Sequence, residues 1–263
     1  MSENSPNTAP LGAENAPEES LMSHLLELRG RVMKASLALL LMFVALMIFP
    51  GQKDIFNLLF HPMVDALAGG KIIVTDPIDS FMIPIKLTLL VSFFMALPVV
   101  LYQAYGFVAP GLYQHEKALA VPVIVSATLL FFAGVAFCHF VVFAKVFTFF
   151  REVAPDMVAY TPDIAKVFGF VSTMFLAFGL TFEIPVIVVL LVRMGLVTVQ
   201  KLKDIRGYVI VGAFVVAAVV TPPDVLSQLM LAIPMVLLYE LGIIAARFIG
   251  TRTRADADAR STL

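Results

Sequence analysis

The chain has 263 residues, a length ordinarily taken by one or two soluble domains, yet 60% are hydrophobic, only 14% are charged, and the mean hydropathy is +0.95. No soluble fold of this size hides that much apolar surface, since ordinary soluble domains run at roughly 45–50% apolar and about 25% charged. The net charge of −1, from 18 basic and 19 acidic residues, excludes the basic face of a nucleic-acid binder, which leaves an integral membrane protein.

Residues 1–20 carry Glu3, Glu14, Glu18 and Glu19 with three prolines and no Lys or Arg, the pattern of a disordered acidic tail and not of a secretory signal or a transit peptide. Next, Leu21, Leu25, Leu28 and Val32 recur at helical spacing, so an amphipathic turn precedes the first span. Glu27 and Arg31 stand four residues apart there, placed for an ion pair along the helix. A span needs about 20 mostly apolar residues. Six stretches qualify or nearly so: 35–52, 87–115, 118–144, 167–192 interrupted by Glu183, 207–223, and 225–246 interrupted by Glu240. Helix is the only state open to them. In lipid every backbone group must be satisfied internally, and the alternation of a membrane barrel is missing. Pro84, Pro98, Pro122, Pro185 and Pro234 lie in or beside these spans, so the helices should bend.

The basic residues orient the bundle. Arg29, Arg31, Lys34, Lys117, Arg193, Lys201, Lys203, Arg206, Arg247, Arg252, Arg254 and Arg260 fall on one side, against Lys53, Lys71, Lys86, Lys145, Arg151 and Lys166 on the other. This bias places both termini in the cytoplasm and outer loops near 51–79, 145–163 and 221–224. The expected fold is thus an all-α integral membrane bundle of six kinked transmembrane helices over residues 21–250. Residues 1–20 and 251–263 form disordered cytoplasmic tails. The fifth span is short: the 14 residues 207–220 make about 21 Å of helix. With almost no loop before the sixth, the fifth and sixth helices read as a short hairpin where the bilayer thins.

The sequence argues against an enzyme. The four histidines form no H-E-x-x-H pair, no Ser sits in a G-x-S-x-G turn, and no Walker-type glycine loop is present. The lone Cys138 allows neither an internal disulfide nor a thiolate metal site, and no cofactor is implied. Carboxylates in unusual places remain. Glu183 lies ten residues before Arg193, about 15 Å from the end of its helix and hence at mid-bilayer. A charge there costs at least ~2.5–3.5 kcal/mol, so Glu183 should be protonated, paired or facing water. It is either interhelical glue or a functional acid. Glu27 and Glu116 share one membrane face and suit bidentate recognition of two guanidinium groups, although each is equally a solvated charge.

Five motifs occur in order: His24-Leu25-x-Glu27-Leu28-Arg29-x-Arg31; Thr75-Asp76-Pro77 with Phe81 and Lys86; Phe107 to Glu116; Phe178-Gly179 with Phe182-Glu183-x-Pro185; and Thr221-Pro222-Pro223-Asp224 with Gln228. Together with six spans, they resemble the TatC family, the polytopic receptor subunits of the twin-arginine protein translocase, from Ser23 to Gly250. The resemblance implies a protein of the bacterial cytoplasmic membrane that binds Arg-Arg signal peptides of folded proteins. Glu27 and Glu116 would contact the arginines, with Arg29, Arg31 and Phe107 shaping the surface. It further implies docking of the single-span TatB and TatA subunits at the last hairpin through Thr221 and Gln228, functional roles for Glu183 and Asp224, several copies in one complex, and transport driven by the proton motive force. One departure is that Lys117 is followed by Ala118, where members often carry a second basic residue. The rival reading is a proton-coupled transporter built on Glu183, against which stand the shallow hairpin and the absence of an internal repeat.

Overall fold

The structure, a computed structural model, describes residues 16–66, 72–108, 120–155 and 161–261. The tail 1–15 and the loop holding Glu116 and Lys117 lie outside the described residues. The chain order is α1 (Ala16–Ile48), α2 (Gln52–Ala66), α3 (Asp79–Val108), α4 (Ala120–Phe137), a π-helical turn (Cys138–Val142), α5 (Phe143–Val153), α6 (Ile164–Phe182), α7 (Ile184–Arg193), α8 (Val199–Asp204), α9 (Arg206–Val220) and α10 (Val225–Ser261). Among the described residues, five apolar segments are long enough to cross a membrane: Leu25–Ile48, Asp79–Phe107, Val121–Val153, Ile164–Arg193 and Val225–Phe248. The shorter α9 is the sixth apolar helix. An even number of spans returns the chain to the face on which it started, here called the N-terminal face.

Two spans are built from more than one helix. The π turn joins α4 to α5 without a break, the N–H of Phe143 reaching back five residues to the Cys138 carbonyl. The fourth span breaks at Glu183, whose N–H turns to the Leu180 carbonyl at 3.1 Å before α7 starts with Pro185 in its first turn. Proline is favoured there because its missing donor would have no partner anyway. Pro84, Pro98 and Pro234 lie inside continuous helices, and Pro122 starts α4.

The sixth span departs from expectation. At 24 residues, Val225–Phe248 is about 36 Å of helix and not short. Glu240 does not interrupt it, because the Arg206 guanidinium at the start of α9 donates to its carboxylate. Only α9, with 15 residues, is short.

The core is aromatic. Phe94 of α3 meets Phe131 of α4 and Phe175 of α6 edge-on at 5.4 and 6.0 Å between ring centres, the arrangement aromatic quadrupoles favour. Gly134 and Gly179 let α4 and α6 approach: a Cβ on Gly134 would stand 2.5 Å from the Phe178 carbonyl oxygen. On the far face α2 buries Ile55, Phe60 and Met63, with Phe56 stacked on Phe60. Near the N-terminal face, Val188, Leu202, Tyr239, Ile243 and Ala246 form a second cluster, pinned by the Tyr239 hydroxyl donating to the Leu202 carbonyl at 2.7 Å.

Two loops on the far face are clasped together. Ile73 N–H donates to the Pro162 carbonyl at 3.0 Å, and Ile164 N–H to the Ile73 carbonyl at 2.9 Å. Asp163 caps α6 through Ala165 and Lys166 N–H while accepting from the Thr75 hydroxyl and amide. The Thr75 bond comes first among the causes that hold the Asp163 carboxyl below its ordinary value of 3.8. A depressed acid supports the fold above its unfolded value and loses that support as pH falls through the folded one. Amide exchange at Ile73 and Ile164, corrected for intrinsic rate, should stay slow from pH 8 to pH 5 and open below about pH 4. In Asp163→Asn the acid-dependent step should vanish.

Candidate functional site

On the N-terminal face, α1 around Leu28, Arg31 and Ala35 lies against the last turns of α3. Glu27, Arg29 and Arg31 follow one another at intervals of two residues along α1, so helical rotation separates their directions: Glu27 and Arg31 are half-buried and Arg29 is exposed. Arg31 donates to Glu27 Oε1 through Nε at 3.0 Å and Nη2 at 2.6 Å, the ion pair their spacing anticipated. Arg31 lies across Gly106, where a Cβ would come 2.8 Å from its Cζ. Glycine is therefore what admits the guanidinium between α1 and α3. Beside it opens a cleft of about 300 Å³ lined by Leu28, Arg31, Ala35, Gln103, Ala104 and Phe107 among others. The structure brings Glu27, Arg31 and Phe107 into one neighbourhood. Glu116, the second expected carboxylate, lies outside the described residues.

Glu183 occupies the break between α6 and α7, only 9% exposed. Its Oε1 is buried and has no hydrogen-bond partner among the described residues. Glu183 lines an otherwise largely apolar cleft of about 210 Å³, between Leu101 and Tyr105 of α3, Val123 and Ala127 of α4, and Val186 and Leu190 of α7. Of the three states open to a mid-membrane carboxylate, an ion pair is not formed among the described residues.

At the α9–α10 hairpin, Asp224 caps α10: its Oδ1 accepts from Ser227 N–H at 2.7 Å, while Oδ2 is buried without a partner among the described residues. Thr221 is buried and its hydroxyl donates back to the Ala217 carbonyl at 2.8 Å. The Gln228 amide donates to the Phe214 carbonyl at 3.2 Å, tying α10 to α9. Both side chains thus serve the hairpin itself in this state, and Glu183 joins neither this group nor the N-terminal cleft. Among the described residues no group of three or more His, Cys, Asp or Glu could hold a metal ion. Residue spacing gave no sign of Gly106 beneath Arg31 or of the Arg206–Glu240 pair. Each depends on which helices become neighbours.

Residues 23–234 match the protein family described as TatC: Sec-independent protein translocase protein (TatC). The chain is 49% identical over 235 residues to the Sec-independent protein translocase protein TatC of Azotobacter chroococcum mcd 1, covering 89% of this chain and 90% of that protein. It is 46% identical over 231 residues to the same-named protein of Escherichia coli strain K12, covering 88% and 89%. A crystal structure of a twin-arginine translocase receptor, TatC, superposes with a TM-score of 0.75 at 33% identity, covering 86% of this chain and 98% of that one.

Proposed function

This chain belongs to the TatC family, and from that premise we propose that it receives the Arg-Arg signal peptides of folded proteins at the cytoplasmic face of a bacterial inner membrane. In this reading it nucleates a translocation complex of several copies with the single-span TatB and TatA subunits. Thr221 and Gln228 offer them hydrogen bonds once the hairpin opens, and Asp224 holds the start of α10 in place. The proton motive force drives export, with no covalent chemistry by the chain. Residues 21–250 do this work, and the flanking segments are cytoplasmic tails.

The observation that carries the reading is the geometry at Glu27. Its Oε1 already accepts two N–H groups of one guanidinium, and both bonds fall on that oxygen, which leaves Oε2 to accept from a further donor. A carboxylate set among Arg31, Phe107 and an apolar cleft favours the planar, weakly hydrated fork of arginine over the compact ammonium of lysine. Glu116 supplies the second acceptor. Arg29, exposed beside them, repels a peptide that arrives in the wrong register.

The test is binding of a fluorescent Arg-Arg signal peptide to the purified chain in nanodiscs, beside a Lys-Lys twin. Hydrogen bonds to charged groups are worth about 1.5–3 kcal/mol, so each of Glu27→Ala and Glu116→Ala should weaken binding of the Arg-Arg peptide roughly 10- to 150-fold, and the double variant should bind it more weakly still. It should also lose the preference over Lys-Lys. Equal binding of both peptides to wild type and variant would overturn the assignment. The Glu183 carboxyl, whose Oε1 has no partner among the described residues, favours the rival, a proton-coupled transporter, which requires the purified chain alone to move a small solute into proteoliposomes.

A further inference from the structure

A second groove, of about 390 Å³, runs along the outside of the bundle between α4, α7 and α10. Pro122, Ser126 and Leu130 of α4, Val189 and Arg193 of α7, and Ala245 of α10 line it. Its polarity is one-sided. The Ser126 hydroxyl is taken by the Val123 carbonyl at 2.9 Å, so the body of the groove presents hydrocarbon. The one charged lining residue is Arg193, in the last turn of α7. It stands ten residues, about 15 Å of helix, beyond the mid-membrane Glu183, at the depth of lipid headgroups. No carboxylate pairs with it among the described residues, and the nearby turns add Lys201 and Lys203. The groove is open along its side, as a site filled from within the bilayer must be.

We propose that this groove binds one anionic phospholipid, its phosphate on the Arg193 guanidinium and an acyl chain along α7. A phosphate accepts two parallel N–H groups from arginine, and an acyl chain fills a dry wall of valine, leucine and proline. A partner helix would match the apolar wall but leave the cation uncompensated. Charge complementarity at one end with hydrocarbon along the rest is the signature of a lipid. The groove shares Val123, Val186 and Leu190 with the cleft of Glu183. The tail therefore lies against the wall that also bounds the Glu183 cleft.

The chain contains no tryptophan, so a single introduced one reports without background. Leu130→Trp places it in the groove, and Leu129→Trp, at a site 64% exposed on the same helix, places it against bulk lipid. Each full-length variant is reconstituted in nanodiscs and titrated with phosphatidylglycerol or phosphatidylcholine carrying brominated acyl chains, which quench tryptophan on contact. At Leu130→Trp, half-quenching should need about five-fold less brominated phosphatidylglycerol than phosphatidylcholine, the preference one basic residue supplies near a membrane surface. Leu129→Trp should show no preference. Adding Arg193→Gln to Leu130→Trp should bring the ratio to about one. A ratio that survives Arg193→Gln, equal quenching by the two lipids in the groove, or the same preference at Leu129→Trp would each overturn the site. Val189→Trp, on the facing wall, gives the same reading should Leu130→Trp fail to fold.

Discussion

Replacing Glu183 with leucine is expected to abolish export while leaving the bundle at least as stable as the wild type. The carboxyl is 9% exposed and its Oε1 has no partner among the described residues. A buried polar atom left without a hydrogen bond costs about 1–3 kcal/mol. Leucine removes that cost and adds hydrocarbon to a cleft already lined by Leu101, Val186, Ile187 and Leu190. The backbone raises no objection, since Glu183 holds an ordinary right-handed conformation, φ −75° and ψ −17°, open to any residue. Stability and function should therefore move apart, which is the mark of a group kept for what it does. Thermal unfolding in detergent and export of a twin-arginine reporter in cells read the two effects separately. A fall in unfolding temperature together with lost export would mean that Glu183 is interhelical glue. Retained export at unchanged stability would remove it from the mechanism.

The depth assigned to Glu183 needs only the rise of a helix and the position of Arg193. Composition likewise sufficed for the six apolar helices, since a bilayer admits no other state for them. The sixth span shows where such reasoning stops. Glu240 reads as an interruption until Arg206, 34 residues away, is seen to pair with it, and a paired charge no longer shortens a helix. The amphipathic α2 carries a visible signal in Ile55, Phe56, Leu59, Phe60 and Met63, spaced to give one apolar face, but it was hidden within an expected outer loop. The π turn at Cys138–Val142 and the clasp of Thr75 on Asp163 have no local cause. One inserts a residue into a helix to rotate the buried set; the other joins loops 88 residues apart. At the candidate receptor face the carboxylate, the two arginines and Phe107 could be named from their motifs. That Arg31 occupies Glu27 depends on side-chain geometry, and that it does so over Gly106 depends on the packing of α1 against α3.

Two glycines in one helix pair should respond to alanine with opposite signs. Gly134 of α4 is buried at the crossing with α6, where an added Cβ would meet the Phe178 carbonyl oxygen at 2.5 Å, the Phe182 Cγ at 2.9 Å and the Phe178 carbonyl carbon at 3.0 Å. Two of these atoms are backbone, so no rotamer change relieves the contact; the helices must separate. Separation in lipid is costly for a particular reason. Hydrocarbon outside the bundle is as apolar as the core, so close packing carries the association that water would otherwise drive. Opening the crossing also lifts Phe131 off Gly179 and loosens the edge-on rings that hold α3, α4 and α6 together. Gly134→Ala should therefore destabilise by about 1–3 kcal/mol, the range of overpacked cores, and Gly134→Leu should prevent recovery of folded protein. Gly169 of α6 has nothing within 4 Å of its added Cβ and is exposed. There alanine only restricts the unfolded backbone and improves helix propensity, so Gly169→Ala should stabilise by about 0.5–1 kcal/mol. Unfolding midpoints of the two variants in the same detergent check the pair. Shifts of equal sign would mean that helix propensity, and not the approach of α4 to α6, sets the stability of this bundle.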